Sequence, residues 1–124
     1  MFMCKRTVLV LILLFEASLF YVASLLHSGV VISGYIHARA ATAEGVIGTI
    51  LAVGVVLCMV LPAQMPLIAL WAQGIALAGT LVGAFTIAIG IGPQTPVDQI
   101  FHAVLLTMLT VGIVAAWDVL HRLS

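Results

Sequence analysis

Charge is what this sequence almost lacks. Its 124 residues include four Lys or Arg and four Asp or Glu, 6% of the chain, where soluble domains carry roughly 25%. That scarcity excludes an ordinary water-soluble surface. Net charge is zero with no basic run, which argues against nucleic acid as a partner. Cysteine is also scarce: Cys4 and Cys58 form no CxxC, so neither a disulfide scaffold nor a thiol redox motif is expected. No phosphate-binding or dinucleotide fingerprint occurs, because the glycines are scattered through apolar sequence. Ser24, Ser28 and Ser33 lie near His27 but have no Gly-flanked elbow or third orienting group. Neither end carries a lipidation signature.

What fills the chain instead is hydrocarbon. Hydrophobic residues make up 65% and the mean hydropathy is +1.37. A bilayer core of about 30 Å is crossed by roughly 20 helical residues, and four apolar stretches meet that length: about 7–35, 44–61, 67–91 and 96–120. The first is too long for one perpendicular crossing and must tilt or project. Short Pro- and Gly-marked connections make the neighbours antiparallel. Ten-residue alternating strands, the mark of a membrane β-barrel, are missing. The expected fold is an all-α membrane four-helix bundle in a single domain, surrounded by the lipid bilayer.

The few cations orient it. Lys5 and Arg6 precede the first span and Arg122 follows the last, against Arg39 alone at the other end. This balance favours both termini in the cytoplasm. Residues 1 to about 24 also have a signal-peptide layout, with Val22-Ala23-Ser24 as a cleavage zone. The apolar sequence continues past that zone and Glu16 interrupts its core, so a retained span is the reading adopted.

Local signals mark helix ends. Thr95-Pro96-Val97-Asp98 orders a capping hydroxyl, an N1 proline and an N3 carboxylate. Thr42 and Glu44 suggest a similar start to the second span. Asp118 and Arg122, four residues apart, can pair, as can Arg39 and Glu44 across the loop. Trp117 and His121 suit interfacial anchors. In the third span Gly79 and Gly83 form a GxxxG, beside a small-residue series of Ala72, Ala76 and Thr80, which lets backbones approach. Helix packing within the chain is the expected use, with a homo-oligomer face as the alternative.

The polar residues that lipid should exclude carry the functional readings. Glu16 lies near the middle of the first span. His27, eleven residues on, is about 20° from the same helical face and about 16 Å along the axis. Phe20, Ala23 and Gly34 complete the stripe. Glu16, held neutral by burial, is either a proton- or ion-linked site or a packing group bonded to Gln73 or to a backbone carbonyl. A second grouping comprises His27, His37, His102, Glu44 and Asp98. Such imidazoles and carboxylates admit a divalent metal or a haem, or ordinary caps and interfacial hydrogen bonds.

Two segments, His37 to Gly45 and Gln73-Gly74 through Gly92-Pro93-Gln94-Thr95 with His102 beyond, resemble a group of small, uncharacterised four-span bacterial membrane proteins. The resemblance covers most of the chain and implies no activity. In architecture the chain is also similar to the small multidrug resistance transporters, which have an essential glutamate in the first of four spans. Glu16 matches in kind, but the aromatic and Gly-Pro motifs of that family's second and third spans are missing. Three functions follow as expectations: a non-enzymatic accessory or structural subunit, alone or in a larger membrane complex; proton- or ion-coupled transport by an oligomer using Glu16; and a haem- or metal-binding redox module.

Overall fold

The computed structural model describes residues 2–122, with side chains from Lys5 onward. Four helices follow one another up and down: α1 (Phe2–His27), α2 (Ala38–Val60), α3 (Met65–Ala88) and α4 (Pro96–His121), with a single 3₁₀ turn, Pro62–Gln64, between α2 and α3. All four are long and apolar enough to cross a membrane. The fold is a membrane four-helix bundle with both described ends of the chain at the same end. Lys5 Nζ reaches Asp118 Oδ2 at 2.7 Å there, and Arg122 Nε bonds the other oxygen at 2.9 Å.

Buried positions repeat at a spacing that alternates three and four residues. On α1 they are Leu9, Leu13, Glu16, Phe20, Ala23 and His27; on α4 they are Leu105, Leu109, Gly112, Ala116 and Val119. This 3.5-residue period keeps one seam of each helix toward its neighbours, as in left-handed bundles. Polar residues occupy the seam, while large apolar residues such as Met59, Trp71, Val82 and Phe85 point outward. A lipid-facing exterior inverts the arrangement of a soluble protein, since lipid tails are as apolar as Leu.

Two boundaries differ most from the sequence expectation. α1 stops at His27, because Ser28-Gly29 turns the chain: Gly29 has φ +77°, a conformation open to glycine, and Ser28 Oγ donates back to Leu25 O at 2.7 Å. Gly34 therefore lies in a loop and leaves the α1 stripe. α2 begins six residues earlier than expected. His37 N donates to His27 O at 2.8 Å, which fixes the start, and the alanine-rich run after it favours helix. Thr42 is consequently not a cap: its hydroxyl donates to Ala38 O at 2.9 Å within the helix. Arg39 and Glu44, five residues apart, fall about 140° apart around α2, and no ion pair joins them among the described residues.

The third span behaves as its small residues suggest. A Cβ at Gly79 would meet Ile47 Cδ1 of α2 at 2.8 Å, and one at Gly83 would meet His102 Nε2 of α4 at 3.0 Å. The GxxxG thus packs within the chain, against two different helices. Cys58 is a free, buried thiol whose Sγ lies 3.6 Å from Met65 O; the Cys4 side chain is outside the described residues.

Candidate functional site

Two buried polar clusters cross the bundle. At mid-span, Glu16 on α1 faces Gln73 on α3, with exposures of 1% and 0%. Gln73 Nε2 donates to both carboxyl oxygens, at 3.2 and 3.0 Å. Gln73 Oε1 is buried without a hydrogen-bond partner, so the centre retains one unsatisfied acceptor, and a carboxyl proton on Glu16 would supply the donor it lacks. The space exists because α4 presents Gly112, where any Cβ would collide with the Gln73 amide and come within 2.7 Å of Glu16 Oε1. Gly112 carries no sequence motif; its place in the α4 seam is the signal that marks it.

The second cluster closes the loop end. His27 at the end of α1 is 4% exposed and holds a carboxylate on each ring nitrogen. Nδ1 is 2.7 Å from Glu44 Oε2 on α2, and Nε2 is 3.1 Å from Asp98 Oδ1 on α4. The α4 cap positions Asp98: Thr95 N and Oγ1 both donate to Oδ2, at 3.1 and 2.6 Å, and Asp98 N returns a bond to Thr95 Oγ1. The capping box expected at Thr95-Pro96-Val97-Asp98 is formed, and its carboxylate has a second use. Tyr35, from the α1–α2 loop, donates its hydroxyl to Asp98 Oδ1 and stacks on His27 with centroids 5.4 Å apart.

The other two histidines stand apart from this chain of bonds. His37 packs edge-on against His27 and Tyr35, with centroids at 5.9 and 5.4 Å. His102 donates from Nδ1 to Asp98 O at 3.0 Å, the carbonyl being able only to accept, and turns Nε2 toward α3 at Gly83. His27, His37, Glu44 and Asp98 are thus brought together, with His102 one turn along α4. They do not fit a metal ion. Both His27 nitrogens face carboxylates, leaving no lone pair turned outward, and among the described residues no group of three His, Cys, Asp or Glu side chains is disposed to hold a metal ion.

Counting protons defines the cluster. Two hydrogen bonds join His27 to two carboxylates, and each needs one hydrogen. Two protons distributed over one imidazole and two carboxylates leave one net negative charge. The partly positive N-terminus of α4 offsets part of it at Asp98. Glu44 Oε2 is taken by His27, while Oε1 makes no hydrogen bond among the described residues.

Tyr35 was missed by the sequence reading, which placed it at the end of a span. Lying outside the helices, it responds to pH in a defined direction. Burial, and then its hydrogen bond to the Asp98 carboxylate, hold the phenol above its ordinary value of 10.0. A folded-state value raised in this way stabilises the fold below the unfolded value and is lost as pH rises through the folded one. The ultraviolet difference between the wild type and Tyr35→Phe should therefore show a phenolate forming with a midpoint above 10.0; a midpoint at or below that value would mean that Tyr35 is neither enclosed nor held by Asp98 in this way.

Comparison with protein-family models, curated proteins and solved structures yields no match.

Proposed function

We propose that this chain is a non-enzymatic, multi-pass protein of the bacterial inner membrane that serves as an accessory or structural subunit, self-associated or within a larger membrane complex. The observation that carries this reading is the closure of its polar groups on one another. Glu16 is bonded to Gln73, and His27 to Glu44 and Asp98, all within one chain. Between Glu16 and His27 the same seam holds Phe20 and Ala23, both buried, so apolar side chains separate the clusters. Buried polar groups paired in this way specify helix packing in lipid. Lys5, Arg6 and Arg122 at one end and Arg39 at the other favour cytoplasmic termini.

A second reading, proton- or ion-coupled transport by an oligomer, is favoured by one observation: a carboxyl at mid-span beside an acceptor without a partner. Glu16→Gln separates the two. A glutamine can still pair with Gln73, so a packing role predicts a stability change of about 1 kcal/mol in detergent unfolding, unaltered co-purification of partners from native membrane, and no effect on proton flux into proteoliposomes. Loss of a proton-linked flux with stability intact would overturn the subunit reading.

A further inference from the structure

A cavity of about 430 Å³ opens between α2 and α3 near the loop end, a volume in the range of small-molecule sites. Phe20, Ile47, Val82 and Leu105 make its wall mostly apolar, and Val82 is exposed toward lipid. Two acceptors stand on its inner side. Glu44 is 6% exposed, and its Oε1 is unbonded yet, unlike Gln73 Oε1, not sealed off. His102 gives its Nδ1 hydrogen to Asp98 O, so Nε2 of the neutral ring can only accept. Both acceptors adjoin the His27 cluster, with its one net negative charge. The outer side has the opposite character. Arg39 belongs to the same lining, is exposed, and makes no hydrogen bond or ion pair among the described residues. Five residues before Glu44, it lies about 7.5 Å farther along α2 toward the loop end. The 23 residues of α2 span about 34 Å, slightly more than a hydrocarbon core of about 30 Å, so its second residue stands at headgroup level. One cavity thus joins a free cation at the membrane surface, acceptors beside a buried negative charge, and an apolar wall open to lipid.

We infer that this cavity seats the headgroup of a zwitterionic phospholipid bearing a primary amine, phosphatidylethanolamine. Its phosphate pairs with the Arg39 guanidinium, its ammonium donates to Glu44 Oε1 and His102 Nε2, and an acyl chain leaves along the apolar wall. Two carbons link phosphate to amine, so a single headgroup carries both charges over the short step from Arg39 to Glu44. Both ends are needed for the match. Phosphatidylcholine has the same charges but no N–H to donate. Phosphatidylglycerol donates hydroxyls but brings no positive charge to the inner acceptors. An amine without a phosphate leaves Arg39 unpaired. The assignment goes beyond a subunit role and is independent of whether the chain acts alone or in a complex.

The test uses the full chain in detergent micelles, given equal amounts of these three phospholipids on identical acyl chains and read by non-denaturing mass spectrometry. One phosphatidylethanolamine should be retained per chain, about tenfold or more over either competitor, because charge-assisted hydrogen bonds are roughly twice as strong as neutral ones. Glycerophosphoethanolamine, the same headgroup without chains, tests a soluble phosphate ester as the source and should not displace the lipid at equal concentration. Glu44→Gln should erase the preference over phosphatidylcholine. Because Glu44 also holds His27, Arg39→Gln provides a second variant: this exposed side chain has no partner to lose, so the melting profile should stay unchanged while lipid retention falls about tenfold. Equal retention of the three lipids, preference for phosphatidylglycerol, displacement by glycerophosphoethanolamine at equal concentration, or full retention by folded Arg39→Gln would each overturn the assignment.

Discussion

His27→Ala should destabilise the bundle by about 3–5 kcal/mol, the cost of removing one partner from a buried charge pair. Glu44 and Asp98 both face His27 from buried positions, so its removal leaves two carboxylates with no cation between them. Unfolding of the purified protein in mixed micelles, followed by circular dichroism, measures the loss. The triple variant His27→Ala, Glu44→Gln, Asp98→Asn separates charge from packing. If the damage comes from uncompensated carboxylates, neutralising them should recover much of the stability despite more substitutions. If the triple variant is less stable than His27→Ala alone, the cluster acts through shape and hydrogen bonding. A cost below about 1 kcal/mol for His27→Ala, the level of an exposed ion pair, would show that the cluster is hydrated.

Gly112→Ala should be nearly as harmful, although it adds one methyl group. The new Cβ would overlap the Gln73 amide and approach Glu16 Oε1 to 2.7 Å, with both side chains enclosed. Overpacking a filled interior costs about 1–3 kcal/mol, and here the displaced groups are polar, so a hydrogen bond between α1 and α3 is lost as well. Gly112→Ala combined with Gln73→Ala tests the mechanism. Removing the amide vacates the space the methyl needs, so the double variant should lose less than the sum of the two single changes. Strict additivity would place the strain elsewhere.

The sequence made the architecture legible through its polar residues rather than its apolar ones. Every helix face is greasy, so hydrophobic periodicity is blurred. The spacing between Glu16 and His27, however, identifies the seam of α1, and both are buried there. Gln73 as the partner of Glu16 and the Thr95–Asp98 cap were readable for the same reason: lipid leaves such groups few places to go. The ends of α1 and α2 were not readable. Val30, Val31 and Ile32 are as apolar as any span, yet the Ser28-Gly29 turn places them in a loop, a backbone preference that hydropathy does not record. Tyr35 escaped notice because its role depends on that loop folding back over His27. Gly112 escaped because a glycine among 11 in the chain declares its contact only when the other helices are in place.

The two hairpins of the bundle, α1–α2 and α3–α4, are each chemically incomplete. Glu16 on the first hairpin finds its amide on the second, and His27 finds Asp98 there as well. A chain emerging into lipid from its first span must therefore carry a mid-membrane carboxyl without its partner until the third span arrives, and its His27 lacks the second carboxylate until the fourth begins. A chain interrupted between the two hairpins would therefore leave the Glu16 carboxyl without its amide, at a depth where an unsatisfied polar group costs several kcal/mol.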